Sequence, residues 1–409
     1  MKKLIILLAA ICFAGFGYGQ LNESYVYHIG NGNYAEVYQI GYINYSIITD
    51  YGDFNTSYVD QAGEGNMSEV EVGFDMLSTH NYTNVDQLGL YNYSFIEQDG
   101  DWNRSTVMQI GEGNESYITQ IDYTNDADVY QEGFYNESYV YQNGVDNWAY
   151  VDQFGLSNYS DIMQLGDWHE AYIWQDGIAN ASFVDQYVFW NQAWVNQYGW
   201  FNWSEILQVG NMNDATVMQV GDFNYSAIEQ LGDENVAFVE QYGFVNGSLI
   251  GQFGDLNLAD VYQEGDWNGS VILQEGINND AFVYQFGIEN FSQIYQWGMD
   301  NYSNVMQIGE DNESYIDQEG IGNVAYVFQL GDDNFASTLQ VGGFNGSLID
   351  QEGDNNDAYV EQWGINNISV DYQLGNGNYA NTLQIGVGHT SYVGQLGDGN
   401  TAIVTQLNP

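Results

Sequence analysis

Past residue 19 this chain has no cysteine and no lysine, a single arginine (Arg104) and a single proline, Pro409. Each scarcity removes a class of explanation. Without cysteine no disulfide framework can hold the fold. Without internal proline nothing interrupts the pairing of one extended segment with the next. One arginine cannot neutralise a phosphate backbone or an anionic bilayer surface, which excludes nucleic acid and lipid headgroups as partners. No apolar run approaches the roughly 20 residues of a membrane-spanning helix, so membrane insertion is excluded as well.

What is present begins with an export signal. Lys2 and Lys3 precede the apolar stretch Leu4 to Phe13, and Gly17-Tyr18-Gly19 supplies small residues before Gln20. This pattern predicts a signal peptide over residues 1–19 and a secreted protein. The rest, residues 20–409, carries all 56 Asp and Glu against Arg104, a net charge of 1 − 56 = −55 with His neutral. Such charge would suit a disordered chain, but 44% hydrophobic and 16% aromatic content argues for an ordered one.

The order is a repeat. From Gln87 to Gln406 every eleventh residue is glutamine, thirty in succession. The unit reads Gln-x-Gly-x-x-Asn-x-[Ala/Ser]-x-[Val/Ile]-x-Gln. From Asn81 to Asn400 the Asn slot departs only at His169 and His389; the β-branched slot departs from Val, Ile or Thr only at Asp371. The Gly slot fails at Phe74, Asp122, Val188 and Asn408. Upstream the frame continues with more decay, His28, Asp50 and Val72 replacing Gln, and a four-residue insertion falls within residues 73–80. In all there are 35 half-repeats of 11 residues. The small slot alternates Ala and Ser without error from Ala127 to Ser292 and slips phase near Ser303, so the true period is 22.

Asn, Ala/Ser, Val/Ile and Gln stand two residues apart, which puts them on one face of a strand. The residues between them are the mixed set of a solvated face. Gly then permits positive φ and a tight reversal. The expected fold is all-β, a β-solenoid of stacked 22-residue strand-turn-strand-turn coils with two flat parallel sheets, cross-β-like. Stacking is compulsory on energetic grounds. Ordering eleven backbones costs about 11–22 kcal/mol, and one buried Val or Ile returns only about 1.5–3 kcal/mol. Inward amides fit a stack because each can donate to the same amide one coil away, whereas carboxylates would repel. About 17 coils at ~4.8 Å give a rod of roughly 80 Å, with acid along it about as dense as phosphate on DNA.

The segment Gln87-Leu-Gly-Leu-Tyr-Asn92-Tyr-Ser94-Phe-Ile96-Glu-Gln98 closely resembles the curlin repeat, the motif of curli amyloid subunits, and the resemblance runs over essentially all of residues 20–409. It implies a secreted subunit of an extracellular, cell-surface fibre serving adhesion and biofilm matrix. Its partner would be itself, as a homopolymer, with a nucleator subunit and an outer-membrane export pore beside it. The ladder positions would be Asn92, Ser94, Ile96 and Gln98; Asn268, Ser270, Ile272 and Gln274; Asn312, Ser314, Ile316 and Gln318. Gly100, Gly276 and Gly320 would be turn glycines. One departure is that the repeat starts at Asn22, where family members usually carry a non-repeat export segment. A polar cap is not visible at either end of the repeat, so end-to-end addition is expected.

Other features weigh less. Aromatics between the inward slots (Tyr117, Tyr139, Tyr150, Tyr172, Phe183, Tyr315, Tyr326, Tyr359) suit cross-strand stacking, as do Trp102, Trp168, Trp190 and Trp267 in the turns. Turns such as Asp332-Asp333-Asn334 suit hard cations, but no turn repeats a fixed ligand set. Diffuse divalent cations such as calcium are expected, and no cofactor. His28, His169 and His389 fall in amide slots, and neither a nucleophile pair nor a phosphate loop is present, so no enzyme is indicated. The alternative is a ligand- or ice-binding solenoid adhesin that does not polymerise, for which a regular Thr array would be expected.

Overall fold

The computed structural model describes residues 21–73 and 78–408. The predicted signal peptide, residues 74–77 of the insertion and Pro409 lie outside the described residues. Among those described there are 35 strands and no helix. The chain divides into two compact units, Met1–Tyr159 and Ser160–Pro409, and both are built by the same rule.

In the first unit, strand Tyr93–Asp101 pairs in parallel with Met67–Val72 on one side and Glu115–Tyr123 on the other. The intervening strand Arg104–Glu112 belongs to a second sheet, between Tyr82–Leu90 and Asp126–Phe134. Each strand thus lies against the strands two before and two after it, and one coil takes two strands. The second unit repeats this: Gly269–Ile277 lies between Gly247–Asp255 and Phe291–Met299, and Leu258–Asp266 between Val236–Phe244 and Asp280–Ile288. Register is like on like, with Gln274 over Gln252 and under Gln296.

Burial alternates along the internal strands as the spacing demands, with Asp152 as an extra buried residue in Trp148–Leu156. In Tyr93–Asp101 the residues Ser94, Ile96 and Gln98 are buried, and those between them are not. The core of each unit is therefore thin: one Ala or Ser and one β-branched side chain per strand, enclosed by buried Asn and Gln. Backbone pairing to both neighbours supplies what so small an apolar core cannot.

The reversal sits elsewhere than expected. The spacing puts Gly at the turn and Asn on the strand. In the structure Gly100 lies inside strand Tyr93–Asp101 with φ 126°, and the corner is Trp102 (φ 64°), followed by Asn103. Glycine is needed there because neighbouring backbones come close as well as for its φ. A Cβ on Gly100 would stand 1.9 Å from the carbonyl oxygen of Asp122; on Gly276, 1.9 Å from that of Gly298; on Gly320, 1.8 Å from that of Gly342. Asp122 and Val188 fill this slot at φ 75° and 90°, where L side chains are strained.

The corner residue itself is usually not glycine. Tyr91, Trp102, Trp168 and Phe201 all adopt φ between 54° and 64°, at about 1–3 kcal/mol each. Ring stacking between successive coils offsets part of that cost. Trp102 stacks on His80 at 4.2 Å, Trp168 on Trp190 at 5.0 Å, and Phe201 on Phe223 at 5.0 Å.

Candidate functional site: two amide ladders and their end strands

Each unit carries two ladders of inward glutamines, one per sheet, and in the first unit one of them gives way to His28, Asp50 and Val72. Gln274 Nε2 donates to Gln296 Oε1 at 2.9 Å and to the carbonyls of Leu258 (2.9 Å) and Asn279 (2.8 Å), while its Oε1 accepts from Gln252 Nε2 at 2.9 Å. Gln318 donates to Gln340 Oε1 (2.8 Å) and the Tyr302 carbonyl (3.0 Å), and accepts from Gln296 and Ser303. Gln98 donates to Gln120 Oε1 at 2.8 Å, to the Tyr82 carbonyl at 3.2 Å and to Ser105 Oγ at 3.0 Å.

The asparagines do a second job. Being short and placed at the corner, each ties its own side chain to the backbone of the neighbouring coil. Asn268 Oδ1 accepts both the backbone N–H (3.2 Å) and the Nδ2 (3.0 Å) of Asn290. Its Nδ2 donates to Asn246 Oδ1 at 3.1 Å and to the Gly287 carbonyl at 3.0 Å. Asn312 donates likewise to Asn290 Oδ1 (2.9 Å) and the Gly331 carbonyl (2.8 Å), and Asn92 to Asn66 Oδ1 (3.1 Å) and the Gly111 carbonyl (3.2 Å). The two kinds of ladder run in opposite senses: glutamine donates toward higher residue numbers and asparagine toward lower. Spacing carries no signal for that sense.

Between the amides, Ile96, Ile272 and Ile316 are buried, as are Ser94, Ser270 and Ser314. Ser314 Oγ donates to Ser292 Oγ at 3.1 Å, whereas the hydroxyls of Ser94 and Ser270 have no partner.

The irregular positions show what the ladder tolerates. His169, in an Asn slot, accepts the Asn191 N–H on Nδ1 at 3.3 Å, and its burial pulls the imidazole pKa down to about 4. Asp50, in a Gln slot, meets His28 Nε2 at 3.1 Å and Ser57 Oγ at 2.9 Å, yet desolvation pushes its carboxyl up to about 6. Val72 lies under Gln98, whose buried Oε1 has no partner among the described residues. Asp371 stands between Ile349 and Val393 in the β-branched row. Ser369 Oγ (3.3 Å) and Thr382 Oγ1 (3.2 Å) hold it, but burial still raises its carboxyl to about 6.

The outer faces carry ring contacts between coils, Tyr117 stacked on Tyr139 at 4.7 Å and 3° and Phe335 tilted against Tyr359 at 5.2 Å and 34°. Arg104 pairs with Asp126 and Asp128. Among the described residues no three His, Cys, Asp or Glu side chains are grouped to hold a metal ion, and no helix is long and apolar enough to cross a membrane.

At the first and last strands the inward row is open. Among the described residues Glu23–Ile29 pairs only with Tyr45–Tyr51, and all seven of its residues are exposed. Thr401–Leu407 pairs, among the described residues, only with Tyr379–Val387. Gln406 Nε2 reaches the Thr390 carbonyl at 2.9 Å but no glutamine. Gln39 donates to Gln61 at 2.7 Å, and among the described residues no donor reaches its Oε1. With Tyr34–Tyr42 and Thr390–Leu396, which likewise have one paired neighbour each among the described residues, they make four sheet edges with unpaired backbone groups, two at each end.

Comparison with known proteins agrees with this geometry. The family model described as the curlin associated repeat matches residues 30–63, 92–121, 125–155, 157–187, 191–221, 213–243, 254–287, 298–331, 331–364 and 375–407. No curated protein matches the chain.

Proposed function

The chain belongs to the curlin associated repeat family, and from this membership and its open end strands we propose that it is a fibre subunit, polymerising end to end outside the cell. The family is a structural one whose members are extracellular curli subunits. The single observation that carries polymerisation is the uncovered inward row at each end: Ser24, Val26 and His28, all exposed, at one, and Ala402, Val404 and Gln406, half-buried, at the other. A parallel strand added to either edge would bury that row and pair its backbone, as every internal strand already does. On this reading the acidic outer face and its stacked rings line a fibre surface used in adhesion and biofilm matrix, and divalent cations screen it. Export through an outer-membrane pore and seeding by a nucleator belong to the same proposal.

The test is direct. Purified chain is expected to convert from monomer to thioflavin-positive, sedimentable fibres, faster with added calcium than in low-salt buffer. A chain that stays monomeric at high concentration, with and without calcium, would overturn the reading.

A further inference from the structure

We propose that successive copies join with a half-coil step. The first strand of one copy, Glu23–Ile29, seats on Thr390–Leu396 of the copy before it, and the second, Tyr34–Tyr42, seats on Thr401–Leu407. The step rests on the polymerisation reading above and adds the register.

The winding carries it. In the second unit Thr390–Leu396 lies on Ile368–Leu374, and Thr401–Leu407 lies on Tyr379–Val387. Each strand covers the one two before it, so the next vacant place in the winding is over Thr390–Leu396, and the place over Thr401–Leu407 comes second. Seating Glu23–Ile29 directly on Thr401–Leu407 would skip the first place. One row of backbone N–H and C=O groups would then stay unpaired inside the joint, at about 1–3 kcal/mol per buried group.

The inward residues agree with the half-coil step. In the first coil the small slot reads Ser24 then Ala35. Through most of the second unit the sheet that ends in Thr401–Leu407 carries Ser, as at Ser270 and Ser292. It changes to Ala at the pair Ser314–Ala336, while the other sheet changes from Ala to Ser at Ala325–Ser347. Because of this exchange the last coil reads Ser391 then Ala402, the same order as the first. A half-coil step therefore puts Ser24 on Ser391 and Ala35 on Ala402; skipping a place puts Ser24 on Ala402. Mixed steps do occur within the chain, so the small residues favour the register and the winding sets it.

The glutamine ladder fits as well. Its donors point toward higher residue numbers, so Gln406 Nε2, which reaches no glutamine, meets Gln39 Oε1, which receives no donor among the described residues. On the outer face Tyr25 comes to lie over Tyr392, a spacing like that of Tyr117 on Tyr139.

Paired cysteines read the step. Stacked residues in a parallel ladder are about 4.8 Å apart, within the roughly 4.4–6.8 Å that a disulfide spans. Tyr25, Tyr392 and Ile403 all face solvent, so substituting them leaves the core intact. In the full chain carrying Cys12→Ser, Tyr25→Cys with Tyr392→Cys is expected to give a ladder of covalent multimers on oxidation. Tyr25→Cys with Ile403→Cys is expected to give none. Sedimentation before oxidation reports polymer independently. Absence of polymer in the parent chain would overturn the polymerisation reading and this step with it. Polymer that cross-links through 25 and 403, or through neither pair, would overturn the half-coil step alone.

Discussion

Asp371 offers the sharpest test of how the interior is held. It occupies a β-branched slot between Ile349 and Val393, fully buried. Desolvation raises its carboxyl from an ordinary 3.8 to about 6, against the lowering effect of hydrogen bonds from Thr382 and Ser369. A shift of about two units corresponds to about 3 kcal/mol held against the folded state when the group is ionised. Because the folded pKa lies above the unfolded one, the folded state binds the proton more tightly. Stability is therefore lost as pH rises from about 4 through 6, and the loss is complete above that window. Replacing Asp371 by Val removes the charge and restores the apolar row, but leaves the Thr382 hydroxyl buried without its acceptor, a cost of about 1–3 kcal/mol. The double variant Asp371→Val/Thr382→Val removes that cost and leaves only the Ser369 hydroxyl without its carboxylate acceptor, the condition in which Ser94 and Ser270 already stand. Relative to the parent it is expected to gain about 3–5 kcal/mol at pH 7 and much less at pH 4, with Asp371→Val alone falling between. Hydrogen-exchange protection of strand Ile368–Leu374 is the readout. Strand Gly269–Ile277, with no ionisable group in its inward row, is the internal control. If protection of Ile368–Leu374 does not rise relative to the control between pH 7 and pH 5, or if the double variant is no better protected at pH 7, the reasoning fails.

Two further outcomes follow from the amide ladders. Val72→Gln should supply the donor that Gln98 Oε1 lacks, because glutamine donates toward higher numbers. A gain of about 1–3 kcal/mol is expected in protection of Tyr93–Asp101 at pH 5, where Asp50 holds a proton to donate to the new side chain; no gain would mean that the ladder sense is wrong. Gln274→Glu replaces three donations by a buried carboxylate facing acceptors and should cost about 3–5 kcal/mol. Gln293→Glu, outside the inward row, should stay within about 0.5 kcal/mol of the parent in denaturant melts. Equal losses in the two variants would remove the basis for the inward assignment.

What could be read from the sequence and what could not divide along a physical line. Side-chain direction in a strand depends only on whether residues are an even or odd number apart, so a two-residue spacing repeated every eleven residues places Ser94, Ile96 and Gln98 on one buried row without further information. Corner geometry depends on φ, which spacing does not encode. The spacing therefore puts Gly100 at the reversal, while the reversal is made by Trp102 and Asn103. The signal that could have pointed there is the residue before each Asn, where Gly, Asp and Asn, the types that best tolerate a left-handed corner, recur at Gly113, Asp146, Asn278, Asp300, Gly322 and Asp333. The sense of the ladders was also invisible, because an Asn or Gln column is the same sequence whichever way its amides donate. Geometry settles it. Asn, short and at the corner, must aim its Oδ1 at the backbone N–H of the following Asn, which fixes its Nδ2 to donate backward. Gln reaches the carbonyl sixteen residues before it and donates forward. Amide dipoles aligned in one sense would add along the stack as they do along a helix. In each sheet the glutamine column and the asparagine column run in opposite senses and so oppose that sum as coils are added. Using two different amides, where one would have closed the hydrogen bonds, is the way this repeat achieves that.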